Sequence, residues 1–288
     1  MHSRDWSLVF FTTLSQWSVG IIVWLSWLVF FSDKVVFFVK TGLSPGNPVL
    51  LALLLIGVAT TSSFLHLGNP SNAPRALNNL AGSWLSREIL AIGIYSLCLI
   101  IVFMVGLKVD GSNNTKYLLV LSSIAGFFLL WAMARVYTIP TIPAWDSWYT
   151  PLSFATTSLC LGLITFLMLN SLGAVGMDNQ AGKFYVGTLV AILVLEILSG
   201  FLHQQKLEKM DTGIDGPTFN TGAFYRLFLA RMAVLFFTCL ALLLLIFKAT
   251  IFPTNDQLAW IYPVLALVVI QEFAGRHLFY SSYFRIGI

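Results

Sequence analysis

Two residues in this chain have the types and spacing for proton chemistry: His66 and Glu88. They lie in the polar stretch SSFLHLGNPSNAPRALNNLAGSWLSREI (Ser62–Ile89), which separates two apolar runs. His66 closes the first run and Glu88 opens the second. Helices that are neighbours in sequence are usually neighbours in space, so both groups can face one pocket at membrane depth. Near neutrality a histidine can accept a hydrogen bond or take a proton. A carboxylate can accept another. That pair suits a dihydroxy ring that loses two protons as it loses two electrons. A quinol is such a ring, and it arrives from lipid. A purely structural reading competes: Ser86 would cap the third helix, with Glu88 in its favourable first turn. Spacing alone leaves both readings open.

Other polar groups are fewer. Pro70 and Pro74 break any helix that would continue through the stretch. The segment Tyr137–Thr150 (YTIPTIPAWDSWYT) suits an interfacial aromatic belt. Alternatively, Arg135–Tyr137 and Pro143–Trp145 line the same pocket or dock a partner. Glu196 and Glu272 fall inside apolar runs, where a carboxylate is a functional candidate by default. Glu272 precedes Arg276 by four residues, so an ion pair on one helix face is expected. His66, His203 and His277 sit at helix ends on one side, and no helix carries two histidines. This excludes a chain of two haems across the membrane. Cys98, Cys160 and Cys239 lie singly in apolar runs without a CxxC pair, so packing is their expected role and no cysteine-held metal is expected.

These groups need elements to position them. Hydrophobic residues make up 58% of the 288 positions and charged residues 10%, and the mean hydropathy is +0.84. A soluble domain carries roughly 25% charged residues. The chain is therefore read as an integral membrane protein. Runs such as Val49–Ala59, Ile89–Leu107 and Val186–Leu198 are almost continuously apolar, which excludes the alternation of a transmembrane barrel. Eight spans are expected, at about 6–31, 47–65, 88–107, 117–136, 151–175, 184–203, 223–247 and 259–281. The expected fold is an all-α bundle of eight transmembrane helices, a single polytopic domain over 1–288 with no soluble domain. No cleavable leader and no internal repeat are expected. The net charge of +4, without a basic cluster interleaved with aromatics, argues against nucleic acid.

An even number of spans puts both termini on one side, side A, with the loops 66–87, 137–150 and 204–222. All eight arginines fall on side A or in the helix halves nearer to it, whereas side B has six cations, all lysine. Arginine suits buried pairs and protein contacts, and lysine a solvated edge. Function is therefore expected on side A. Ten cations lie on side A, so a simple positive-inside count would make it cytoplasmic.

LHLGNP at 65–70, the Ala–Leu–Asn run at 76–78, and LSREI at 85–89 resemble the membrane-anchor subunits of bacterial anaerobic dimethyl sulfoxide reductase. So do FTTLSQ at 11–16, RVYTIPTIPAW at 135–145 with TPLSF at 150–154, and EFAGRHLFY at 272–280. The pieces keep the family's order over nearly the whole chain. The resemblance implies an eight-helix anchor without haem or metal of its own. It implies partners: an iron–sulfur electron-transfer subunit and a molybdopterin catalytic subunit. It implies menaquinol as electron donor in anaerobic respiration, with His66 and Glu88 at the quinol site. Arg75, Arg135 and Tyr137 are candidates for shaping that pocket. It also implies the bacterial inner membrane with both termini periplasmic, against the positive-inside count. That orientation is preferred, because the side-A arginines are taken up by partner contacts and internal pairs. Two rivals stand beside it: the anchor of another molybdoenzyme with a different terminal acceptor, and a transporter of small organic anions.

Overall fold

The computed structural model describes residues 3–31, 47–64, 75, 77–108, 113–172, 179–210, 219, 221–251 and 261–284. Long apolar runs leave helix as the structure that satisfies every backbone group without water. The described residues form eight α-helices: α1 (Ser3–Phe31), α2 (Pro48–Phe64), α3 (Trp84–Lys108), α4 (Asn113–Tyr137), α5 (Tyr149–Ser171), α6 (Asn179–Lys209), α7 (Gly222–Ile251) and α8 (Ile261–Ser281). No strand occurs among the described residues. Six of the helices are long and apolar enough to cross a membrane. Of the others, α2 has 17 residues, and α8 carries Gln271, Glu272 and Arg276. The chain is an all-α membrane bundle.

Local signals set several helix starts. Asn47 caps α2, its side-chain oxygen accepting from the Val49 and Leu50 amides at 2.9 and 3.2 Å. Pro48 follows at the first helical position, where its missing N–H costs nothing. Gly222 opens α7 with φ of 70°, a left-handed conformation that glycine adopts without strain.

Helices α1 and α5 form the centre, both largely buried by their neighbours. They cross at Gly20 and Gly162, where a Cβ on either residue would overlap the backbone of the other helix. Small residues at a crossing let membrane helices approach closely. Around the crossing Ile21, Ile22, Leu163 and Ile164 are fully buried. Nearby, Trp17 donates to Thr165 at 2.7 Å and Trp24 to the Leu159 carbonyl at 2.9 Å.

The packing has an internal repeat that the sequence reading did not expect. Helix α1 packs on α2 and α4, and α5 packs correspondingly on α6 and α8. Helices α3 and α4 pair, as do α7 and α8. Across the halves, α4 packs on α5 and α8 on α1. Short echoes in the sequence match this arrangement. SSFLHL at 62–67 recurs as SGFLHQ at 199–204, and REILA at 87–91 as RLFLA at 226–230. The echoes are brief and diverged, because most span positions need only be apolar.

Contacts confirm that alternate helix ends share one side. Ser62 at the end of α2 donates to the Ser7 carbonyl of α1, and Trp6 packs on His277 near the end of α8.

Candidate functional site

The 3-10 turn Leu77–Asn79 leads into α3. Asn79 accepts from the Gly82 amide through its side chain at 3.2 Å and from the Ser83 amide through its carbonyl at 3.0 Å. Ser83 Oγ then accepts from the Ser86 amide at 3.3 Å. Ser83 is therefore the cap, and the expectation that Ser86 caps α3 is corrected. The helix starts at Trp84, which places Glu88 beyond the first turn and weakens its interaction with the helix dipole. Glu88 is 3% exposed, and its Oε1 has no partner among the described groups. A buried carboxylate oxygen without a donor is costly, and it marks a place where a ligand or water completes the bonding.

Glu88 lies within electrostatic reach of the Tyr137 and Tyr280 hydroxyls. Tyr137 ends α4 and is buried, with its ring edge-on to Trp145, Phe154, Phe279 and Tyr280. Its hydroxyl accepts from Tyr280 at 2.8 Å. Trp145 is fixed by a 2.7 Å bond from Nε1 to the Phe279 carbonyl. The 137–150 segment thus folds inward as an aromatic lock between α4, α5 and α8.

The other sequence candidates separate. His66 lies outside the described residues. Arg75 is exposed. Arg135 and Arg87 flank the Trp84 ring, at 5.2 and 4.2 Å from its centroid. Arg87 also donates to the Leu80 and Ala81 carbonyls, so it holds the turn before α3. Arg135 lines a groove of about 310 Å³ with Trp131, Asp146 and Trp148. That volume is at the lower end of the range for small-molecule sites. Glu88 and Tyr137 do not line it; they face the core.

A second polar cluster occupies the C-terminal half. Arg231 of α7 forms an ion pair with Glu196 of α6 at 3.3 Å, both side chains being buried. Arg231 Nε also donates to the Gln271 carbonyl and side chain at 3.2 Å each. Glu272 accepts from Thr157 at 2.7 Å and from Gln271 at 2.8 Å. The expected Glu272–Arg276 ion pair does not form directly. Arg276 instead donates to Gln16 at 2.6 Å and to Thr157 at 3.4 Å, with its guanidinium 4.0 Å from the Phe154 ring centroid. Thr157 thus stands between the two charges. Spacing along one helix suggested the wrong pair because the acceptors on α1 and α5 were invisible to it. Glu196 with Arg231 was missed, although two opposite charges in separate apolar spans are a usable signal.

One oxygen each of Glu196 and Glu272 lies within 4.8 Å of Cys160 Sγ, a set that could offer three ligand atoms to a metal. Arg231 beside them already supplies positive charge, which opposes a divalent cation. A cavity of about 30 Å³ adjoins the cluster, lined by Tyr149, His203, Gln204 and Arg231 among others. The His203 ring stacks on Tyr149 at 4.1 Å.

The family model of the DMSO reductase anchor subunit (DmsC) matches residues 1–282. The chain belongs to this family. An anaerobic dimethyl sulfoxide reductase chain of Haemophilus influenzae is 28% identical over 291 residues, covering 98% of this chain and 95% of that one. Anaerobic dimethyl sulfoxide reductase chain YnfH of Escherichia coli (strain K12) is 33% identical over 171 residues, 56% of each protein. A sulfite dehydrogenase subunit of Allochromatium vinosum is 33% identical over 160 residues, 51% of this chain and 47% of that one. Within this anchor, the buried polar groups gather toward side A. They come from the starts of α1, α3, α5 and α7 and from the ends of α6 and α8, with the Tyr137 hydroxyl at the end of α4.

Proposed function

We propose that this protein is the membrane anchor of a dimethyl sulfoxide reductase-type molybdoenzyme and that it oxidises menaquinol. Electrons pass to an iron–sulfur subunit and from there to a molybdopterin catalytic subunit. His66 and Glu88 accept hydrogen bonds and protons from the quinol hydroxyls. Tyr137 backs the site from the core, and Arg75 and Arg135 shape its outer rim. The complex sits in the inner membrane with both termini periplasmic, and quinol protons leave on side A. The observation that carries this reading is the buried Glu88 carboxylate at the side-A end of α3, one of whose oxygens has no partner among the described residues. An acceptor in that state suits a ligand that arrives with its own hydroxyl donor.

The test is Glu88→Gln, alongside His66→Ala, in the assembled complex. Quinol-dependent turnover should fall by about 10²-fold or more, the usual scale for losing a proton acceptor. Reduction from an artificial donor that feeds the partner subunits directly should persist. Full quinol-dependent turnover in both variants would overturn the site. Similarity to a sulfite dehydrogenase subunit favours one alternative, an anchor whose catalytic partner has a different substrate. Purifying the complex and identifying its catalytic subunit separates the two.

A further inference from the structure

Polar side chains form an interrupted series from Tyr137, which lies within electrostatic reach of Glu88, to the far edge of side A. Tyr280 donates to Tyr137 at 2.8 Å, and its oxygen lies 3.4 Å from Thr12 Oγ1. Gln16 is one turn beyond Thr12 on α1 and accepts from Arg276. Arg276 reaches Thr157, and Thr157 donates to Glu272. Glu272 leads to Glu196 directly, their nearest oxygens lying within 4.8 Å, and also through Gln271 and Arg231. The cavity beside Arg231 follows, walled by His203 and Gln204. Gln204 donates to Glu208, which is exposed near the end of α6.

The helices that carry this series also hold buried polar atoms without hydrogen-bond partners among the described residues. These include Gln16 Nε2, Arg276 Nε and Nη1, and Glu196 Oε1. Buried groups of this kind are normally satisfied by internal water. The cavity of about 30 Å³ has room for ordered water by the same criterion. Toward side B the series stops. The Gly20–Gly162 crossing and the fully buried Ile21, Ile22, Leu163 and Ile164 form a tightly packed apolar layer.

We propose that this series is a proton route from the quinol site through the centre of the molecule to side A at Glu208, with Glu272 and Glu196 as its acid–base stations. The inference rests on the quinol reading of Glu88. Oxidation of one quinol releases two electrons, which leave through the iron–sulfur partner, and two protons. One proton goes to His66, the other acceptor of the proposed quinol site, and the second binds the Glu88 carboxylate. The second passes along the Tyr137, Tyr280 and Thr12 hydroxyls and through water beside Gln16 and Arg276 to the Glu272 carboxylate. Glu196 takes it next and yields it to water in the cavity. Only O–H bonds are made and broken, so no further oxidant is needed. Glu88 of the N-terminal half takes the proton, and residues of both halves conduct it away.

The experiment uses the whole complex in proteoliposomes. Glu272→Gln keeps one oxygen to accept from Thr157, gives up the acceptor for Gln271, and can no longer carry a proton. Tyr280→Phe breaks the hydroxyl series without changing charge. Each should slow quinol-dependent turnover by about tenfold or more and enlarge the solvent deuterium isotope effect. Binding of a quinol-site inhibitor and turnover from an artificial donor should not change. Glu272→Asp should recover part of the rate. Wild-type turnover and isotope effect in Tyr280→Phe and in Glu272→Gln would overturn the route, and Tyr280→Phe alone decides if Glu272→Gln fails to assemble. Slower turnover with weakened inhibitor binding would make these residues packing groups and would also overturn it. If Glu88→Gln retains full turnover, the quinol reading itself fails. If Glu88→Gln is inactive while both route variants behave as wild type, only the route fails.

Discussion

The Glu196–Arg231 pair permits a prediction with an asymmetric sign. Removing one partner of a buried ion pair leaves a charge without its counter-ion, at a cost of about 3–5 kcal/mol. The two residues differ in how they escape that cost. A carboxylate can neutralise itself by taking a proton, whereas a guanidinium stays charged. Glu196→Leu leaves Arg231 with the two Gln271 acceptors at 3.2 Å and the Tyr149 hydroxyl at 3.5 Å, all neutral, and with the Glu272 carboxyl group as the remaining acid nearby. The expected loss is about 3 kcal/mol, the low end of the range, because those bonds remain. Arg231→Leu leaves a carboxyl group that can become neutral, so its loss is that of an unsatisfied polar group, about 1–3 kcal/mol. The double Leu variant replaces the pair with apolar groups of similar size, and such replacements are often neutral or stabilising. The coupling between the sites should therefore exceed about 2 kcal/mol. Reversible unfolding of the detergent-solubilised protein in SDS, followed by tryptophan fluorescence, measures all four corners of the cycle. Additive losses, or an Arg231→Leu loss larger than that of Glu196→Leu, would refute the reasoning.

Three further outcomes follow from the packing. Gly162→Val should force α1 and α5 apart, costing about 1–3 kcal/mol or more, and should lower the yield of assembled protein on size-exclusion chromatography. Ser83→Ala should lower stability by about 1 kcal/mol through loss of the α3 cap, whereas Ser86→Ala leaves that cap in place; thermal melts of the two variants give the comparison. Trp145→Phe keeps the aromatic lock but deletes the bond to the Phe279 carbonyl, so a loss of about 1 kcal/mol is expected in the same assay.

The bundle was legible in the sequence because a bilayer imposes one demand on every span. Long apolar runs such as Ile89–Leu107 satisfy that demand almost without regard to neighbours. Glu88 was legible as a candidate because a carboxylate at the start of an apolar run is rare and costly. What it faces was not legible: Tyr280 comes from the other end of the sequence, and only folding brings it to Tyr137. The same limit explains the mistaken pairing of Glu272 with Arg276. Spacing of four shows that two side chains share a helix face, but Thr157 and Gln16 on other helices compete for both. The internal repeat was hidden because its surviving echoes are a few residues long.

The crossing of Gly20 with Gly162 has a consequence for biosynthesis. The two glycines are separated by about half the sequence, so the most intimate contact of the molecule is unavailable until α5 has entered the bilayer. Until then α1 holds Gln16, Ser15 and Thr13 in lipid without their final surroundings. The N-terminal four helices can shield that face only in part, since α5 and α8 complete its burial. The nascent anchor is thus committed to waiting, half assembled, for its second half, and a truncation before α5 would leave a polar flank for quality-control proteases to find.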